Sequence, residues 1–323
     1  MTALTFGLFS DLHLDITQDG EARLAAFLSD CQKRKVDLVI SAGDFTYPED
    51  TRRCDCPPEC LPVNLKNAML CPAPAAKRLA LERYAGFPLP HHHTLGNHEM
   101  DFSTKEEAVQ LLGMPGRYYD FALKGWRFFV LDTNHYRDGE GKIRGYCRGD
   151  YFARPRGHWL DEEQLAWLEE RLSACPEPAI LVSHHPLYPR FSGSGLQNYD
   201  ALRRVFDAAG GRVRMCIYGH CHVDEYAWRD GVLHYCINSI SNHWAGERWA
   251  CQRFDAETER RFPNLRYTFP YEGPVYAIVT LDEKGAHIRG RKSRFVPPSP
   301  AELGYTAAAA TPSVEDRDFF WSL

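Results

Sequence analysis

Short apolar runs alternate with amphipathic stretches along the chain. Residues 4–10 (LTFGLFS) form the first run. Residues 20–35 then place Leu24, Phe27, Leu28 and Cys31 at the i, i+3, i+4, i+7 spacing of a helix. The runs at 36–41, 125–132, 178–183, 213–218, 232–238, 275–281 and 286–290 predict buried strands. Residues 161–172 (DEEQLAWLEERL) open with acids, close with Arg171, and carry Leu165, Leu168 and Leu172 on one side. That pattern predicts a helix. Another is predicted over 200–211, stopping at Gly210 and Gly211. Strand–helix–strand order early, with strands crowded later, predicts an α/β architecture with more than one sheet.

Two stretches break the pattern. Residues 48–75 gather proline and cysteine and read as a loop insertion. Residues 296–323, with VPPSP and AAAATPS, read as a tail whose aromatic end packs on a body formed by 1–295. The triplet His91, His92, His93 reads as the approach to a strand. At 44% hydrophobic the chain has enough apolar material for a sizeable core. A formal net charge of −5 weighs against a broad nucleic-acid or anionic-membrane surface, so no nucleic-acid partner is expected. No apolar run reaches the ~18 residues of a membrane span. The opening MTALTFGLFSDLHLD lacks a basic n-region and a small-residue cleavage site, so a cytoplasmic protein with reduced thiols is expected.

Chemistry concentrates where the runs stop. The first ends at Asp11 and His13, the second at Gly43 and Asp44, and HHHTLGNHE carries Asn97 and His98. PAILVS ends at His184 and His185, and VRMCIY at Gly219, His220 and His222. Open α/β sheets form sites at such ends. Buried polar groups are costly unless partnered, so this placement argues against accident. Asp, His and Asn make a nitrogen and oxygen donor set suited to Mn, Fe or Zn.

The motifs DLH (11–13), GD (43–44), GNHE (96–99), His184 before His185 and Pro186, and GHCH (219–222) resemble the calcineurin-like metallophosphoesterases. The resemblance spans residues 11–222. It implies a four-layer α/β/β/α sandwich of two mixed sheets flanked by helices. It also implies two metal ions. Asp11, His13 and His222 would hold one; Asn97, His184 and His220 would hold the other; Asp44 would bridge them. His98 would act beside the metals as the catalytic proton donor. His220 and His222 would diverge on the turn after Gly219, leaving Cys221 as a packed thiol. The implied activity is hydrolysis of a small phosphorylated substrate by a metal-bridging hydroxide, since a metal lowers the pKa of water from about 16 to about 7.

Departures narrow the branch. GDFTYPED lacks the second aspartate and the arginine of the Ser/Thr protein phosphatases, and Tyr47 stands at the aspartate's spacing. Gly43 to Tyr47 fits the purple acid phosphatase pattern, but His13 competes for the same position. His13 is therefore expected to bind, with Tyr47 behind it. DLHL with HHP and GH-x-H is most similar to the class III cyclic-nucleotide phosphodiesterases, which favours phosphodiester or nucleotide substrates. A phosphomonoesterase and a non-catalytic metal-binding scaffold are the alternatives. Cys54, Cys56, Cys60 and Cys71 offer four thiolates for an extra structural metal, but C-x-C-x3-C-x10-C is not a familiar zinc spacing. Free thiols, a disulfide or a redox role stay open there. His135, His185 and His243 could face the substrate, but are expected to stand behind the ligands or to be structural.

Overall fold

Leu4, Phe6 and Leu8 are fully buried on β1 (Leu4–Phe9), a strand covered on both faces. The computed structural model describes residues 2–46, 74–154, 157–191, 195–307 and 310–321. Tyr47 and the insertion cysteines Cys54, Cys56, Cys60 and Cys71 lie outside the described residues. β1 pairs in parallel with β2 (Leu38–Ser41), and β2 in parallel with β3 (His91–His93). On the other side lie β14 (Ala277–Leu281), β15 (Gly285–Gly290) and β16 (Arg317–Phe320), each antiparallel to its neighbour. The histidine triplet is thus a strand of this sheet.

The second sheet is also mixed, with six strands among the described residues. At its centre β5 (Trp126–Val130), β8 (Ala179–Val182), β9 (Val213–Tyr218) and β11 (Val232–Cys236) run parallel. β4 (Tyr119–Leu123) and β10 (Glu225–Arg229) close its edges antiparallel. Two small ladders, β6 (His135–Arg137) with β7 (Ile143–Gly145) and β12 (Asn242–Trp244) with β13 (Thr268–Pro270), stand outside both sheets.

Burial explains the layering. Leu8, Ile40, Ile180, Val182, Ile217 and Leu233 fill the space between the sheets. Phe6 meets Phe128 there edge to face, with ring centroids 5.8 Å apart, worth about 0.5–1.5 kcal/mol beyond area burial. On the outside of the first sheet, α1 (Gly20–Lys33) buries Leu24, Phe27, Leu28 and Cys31 against Phe9 and Val39, beside α2 (Pro74–Ala85). On the outside of the second, α4 (Glu162–Ala174) and α5 (Tyr199–Ala208) bury Leu168, Leu172, Leu202 and Val205 against Phe129 and Leu181. Asp161 caps α4 by accepting the Gln164 N–H at 2.8 Å. The short helices α3 (Lys105–Leu111) and α6 (Ala256–Arg261) lie in connections. The architecture is the four-layer α/β/β/α sandwich of two mixed sheets that the motifs implied.

Continuous apolar runs mark strands buried on both faces, which is why β9 spans the stretch read from sequence. β16 was hidden inside what reads as a tail, because Asp318 and Phe320 are exposed at the sheet edge. Its Phe319 and the nearby Val314 join the core between the sheets. The described cysteines form no disulfide. Among the described residues, no helix is long and apolar enough to cross a membrane.

Phe6→Ala leaves a cavity between the sheets and is expected to cost about 3–5 kcal/mol of unfolding free energy. Urea denaturation measures it. A loss below about 1 kcal/mol would mean that the inter-sheet core is not close-packed.

Candidate metal centre

The loops that follow β1, β2, β3, β8 and β9 meet at one edge of the sandwich. The backbone there is bent. Asp11, His13, Asp44, His220 and His222 have φ of 55°, 48°, 53°, 66° and 51°. An L-residue in this left-handed region costs roughly 1–2 kcal/mol. Neighbouring loops hold the bends. The N–H groups of Asp11 and His13 donate to the carbonyls of Gly43 and Asp44, each at 3.0 Å. Ser239 and Ser241 hydroxyls donate to the carbonyls of Asp11 and Leu12 at 2.9 Å. Close approach also requires Gly96, where a Cβ would lie 2.1 Å from Asp44 Oδ1.

The bends bring the ligand-type residues into two groups. Asp11, His13 and His222 form one, and Asp44, His184 and His220 the other, with candidate donor atoms within 4.8 Å of one another in each. Asp44 Oδ2 stands between them, 3.0 Å from His184 Nε2 and 3.8 Å from His13 Nε2. His220 and His222 therefore separate into different groups. Cys221, between them, packs against the outer core of the second sheet.

Two imidazoles are oriented by carbonyls. His222 Nδ1 lies 2.7 Å from the Asn242 carbonyl, and His184 Nδ1 lies 2.8 Å from the Ala42 carbonyl. A carbonyl only accepts, so each Nδ1 carries a hydrogen and each ring turns its Nε2 to the centre. His184 Nε2, Asp11 Oδ1 and Asn97 Oδ1 are buried and make no hydrogen bond. Yet Asp44 Oδ2 is 3.0 Å from the first and His222 Nε2 is 3.3 Å from the second. Polar atoms this close but misaligned point at shared space rather than at each other. With donor sets of Asp and His, the two groups fit transition-metal cations, and either could hold one.

Electrostatics agrees. Burial pushes the Asp11 carboxyl up, but His222 and then His184 outweigh it and hold it at about 2. Burial lowers His13 and His220 to about 3. Burial also lowers His184, but Asp44 and Asp11 bring it up to about 9. The buried carboxylates draw positive charge to this point, as a proton or as a metal.

His98 sits beside both groups. Its backbone N–H donates to Asp44 Oδ1 at 2.9 Å, and its Nε2 is 4.0 Å from Asp44 Oδ2. Its Nδ1 donates to Asp101 Oδ2 at 2.6 Å. Burial lowers its pKa, and Asp101 and Asp44 more than reverse this, to about 10. The acid paired with His98 is thus Asp101, three residues on. In sequence it lies away from the position of Tyr47, although an acid three residues after GNH was a visible signal. Glu99 was also missed. Its buried carboxylate accepts the backbone N–H groups of Asp44 at 3.2 Å, Phe45 at 2.6 Å, Thr46 at 3.2 Å and Gly96 at 2.6 Å. It staples the loop after β2 to the loop after β3.

The other histidines fall outside both groups. His135 Nε2 is 2.9 Å from Asp161 Oδ2, in an ion-pair cluster with Lys105 and Asp132. His243 Nδ1 is 3.1 Å from the His222 carbonyl and supports that turn. His185 stacks on His158 with ring centroids 3.4 Å apart, and the pair borders His220. With His220 the two rings form a third group whose candidate donor atoms lie within 4.8 Å of one another.

Glu99→Gln sets an amide donor against backbone donors. It is expected to cost about 1–3 kcal/mol of stability, read by urea denaturation. An unchanged midpoint would remove Glu99 as the staple.

The chain is 22% identical over 232 residues to a probable cyclic nucleotide phosphodiesterase of Synechococcus sp., spanning 68% of this chain and 73% of that protein. It is 25% identical over 189 residues to a manganese-dependent ADP-ribose/CDP-alcohol diphosphatase of Arabidopsis thaliana, spanning 47% of this chain and 60% of that protein. A dimetal phosphatase from Danio rerio has the same fold, with a TM-score of 0.60 at 16% identity, covering 91% of this chain and 98% of that one. The family model described as calcineurin-like phosphoesterase matches residues 4–224, a stretch that contains every residue of both groups. The chain belongs to the calcineurin-like phosphoesterases, hydrolases that act on phosphoester bonds.

Proposed function

We propose that this chain hydrolyses a small phosphorylated molecule of phosphodiester or nucleotide type, using two transition-metal ions. The observation that carries the reading is the position of Asp44 Oδ2 between two groups of buried donors. Asp11, His13 and His222 would hold one ion, and Asn97, His184 and His220 the other, with Asp44 shared. When bound, the ions supply charge neutralisation at the phosphoryl oxygens and an acidified water. Similarity to a probable cyclic nucleotide phosphodiesterase and to an ADP-ribose/CDP-alcohol diphosphatase supports a nucleotide-type substrate. Manganese is the metal named for one of them.

The protein's own groups do the rest. Ala42 and Asn242 carbonyls take the Nδ1 hydrogens of His184 and His222, so that each Nε2 is aimed inward and would offer its lone pair to a bound metal. Glu99 fixes the backbone of Asp44 and Gly96, so that the Asp44 carboxylate and the Asn97 amide keep their spacing. Asp101 holds Nδ1–H of His98 and stabilises its cation. Nε2, on the Asp44 side of the ring, then delivers a proton to the departing oxygen.

Two substitutions separate holding metal from moving protons. Asp44→Ala is expected to lose metal and turnover together, shown by mass-spectrometric metal analysis and Mn(II)-dependent hydrolysis of bis(p-nitrophenyl) phosphate. His98→Ala is expected to keep its metal and lose about 10²–10⁴ in kcat. Normal turnover in His98→Ala would end its assignment. Wild-type protein that binds no metal after reconstitution with Mn, Fe or Zn would end the two-metal reading.

A further inference from the structure

Tyr151 lies on the short turn Asp150–Ala153, far in sequence from the metal-centre loops. Its ring stacks on Tyr146, with centroids 4.1 Å apart and planes 10° from parallel. Its hydroxyl donates to Asp101 Oδ1. The same oxygen accepts from Asn97 Nδ2 at 3.3 Å. The other oxygen of Asp101 accepts from His98 Nδ1 at 2.6 Å. An unbroken chain therefore runs from the Asn97 amide, through Tyr151 and Asp101, to His98.

Proton count fixes the direction of that chain. A carboxylate only accepts, and a phenol has one hydrogen to give. With that hydrogen committed to Asp101, Tyr151 offers Asn97 only a lone pair. Only the NH2 end of the amide can use it, which turns Asn97 Oδ1 the other way. That oxygen is buried and has no hydrogen-bond partner. A flipped amide would set two acceptors face to face.

We infer that Tyr151 is a positioning residue for both halves of the site: its single hydroxyl presents the Asn97 oxygen for metal binding and holds the carboxylate that orients His98. The inference rests on the metal-dependent reading above. It assigns to a residue outside every motif the coupling between metal binding and proton delivery.

Tyr151→Phe keeps the ring and its stack on Tyr146 and removes only the hydroxyl. The test uses full-length protein, Mn(II), and a series of aryl phosphodiesters whose leaving phenols range from strong to weak acids. kcat is expected to fall about 10- to 100-fold on the weakest-acid phenol, the scale of one hydrogen bond to a charged group, with KM nearly unchanged. The loss should shrink for the most acidic phenol, which needs little proton help to depart. Calorimetric Mn(II) titration should show one site weakened about 10-fold or more. Equal losses across the whole series, or a Mn(II) isotherm identical to wild type, would overturn the inference, because a merely structural tyrosine moves neither readout. Wild-type protein that hydrolyses no ester in the series would defeat the hydrolase reading separately, and the Mn(II) titration would still decide the role of Tyr151.

Discussion

Left-handed backbone at Asp11, His13, Asp44, His220 and His222 is the constraint on which this site depends. At roughly 1–2 kcal/mol each, these bends together approach the whole net stability of an ordinary domain. They persist because the surroundings over-determine them. Loops after β1 and β2 exchange backbone hydrogen bonds, Ser239 and Ser241 tie down the carbonyls of the first loop, and Glu99 gathers four backbone N–H groups from the next two. Such strain collects where function needs side chains off the regular pleat. Without the bends, His220 and His222 would share one face of an extended segment. With them, each reaches a different group.

The same arrangement creates an electrostatic demand. Asp11 and Asp44 are buried and surrounded by imidazoles that burial would keep neutral. A dry carboxylate pair needs positive charge close by. His184 and His98 feel this directly, being drawn toward the protonated form. Carbonyl acceptors on Nδ1 of His184 and His222 prepare those rings to give lone pairs instead. The geometry thus favours cations with directional bonds over diffuse counter-ions.

The sandwich alone does not set the chemistry, because function resides in side chains grafted on the scaffold. Here the relevant side chains come from at least five loops, and the inter-sheet core of Phe6, Phe128, Ile180 and Ile217 fixes the distance between those loops.

Local sequence was enough for the strands buried on both faces, such as β9, and for helices with caps and one apolar face, such as α4. Their signals are short-range: continuous apolar runs, helical spacing, an aspartate cap. The motif residues Asp11, His13, Asp44, His184, His220 and His222 were also legible, because each lies just past such a run, whereas Asn97 and His98 follow the histidine strand β3 and were legible only through the motif GNHE. Edge and hairpin elements such as β16 and β6 were not, since half-exposed strands lose the apolar pattern. Asp101 could be seen but not chosen, because His98 could have paired with an acid from either loop. The division of His220 from His222 was expected only through the family resemblance, and the four-armed role of Glu99 and the reach of Tyr151 to Asn97 and Asp101 were settled only by tertiary structure. Each depends on backbone angles or contacts between loops distant in sequence, and no local pattern of residues encodes where separate strand ends will meet.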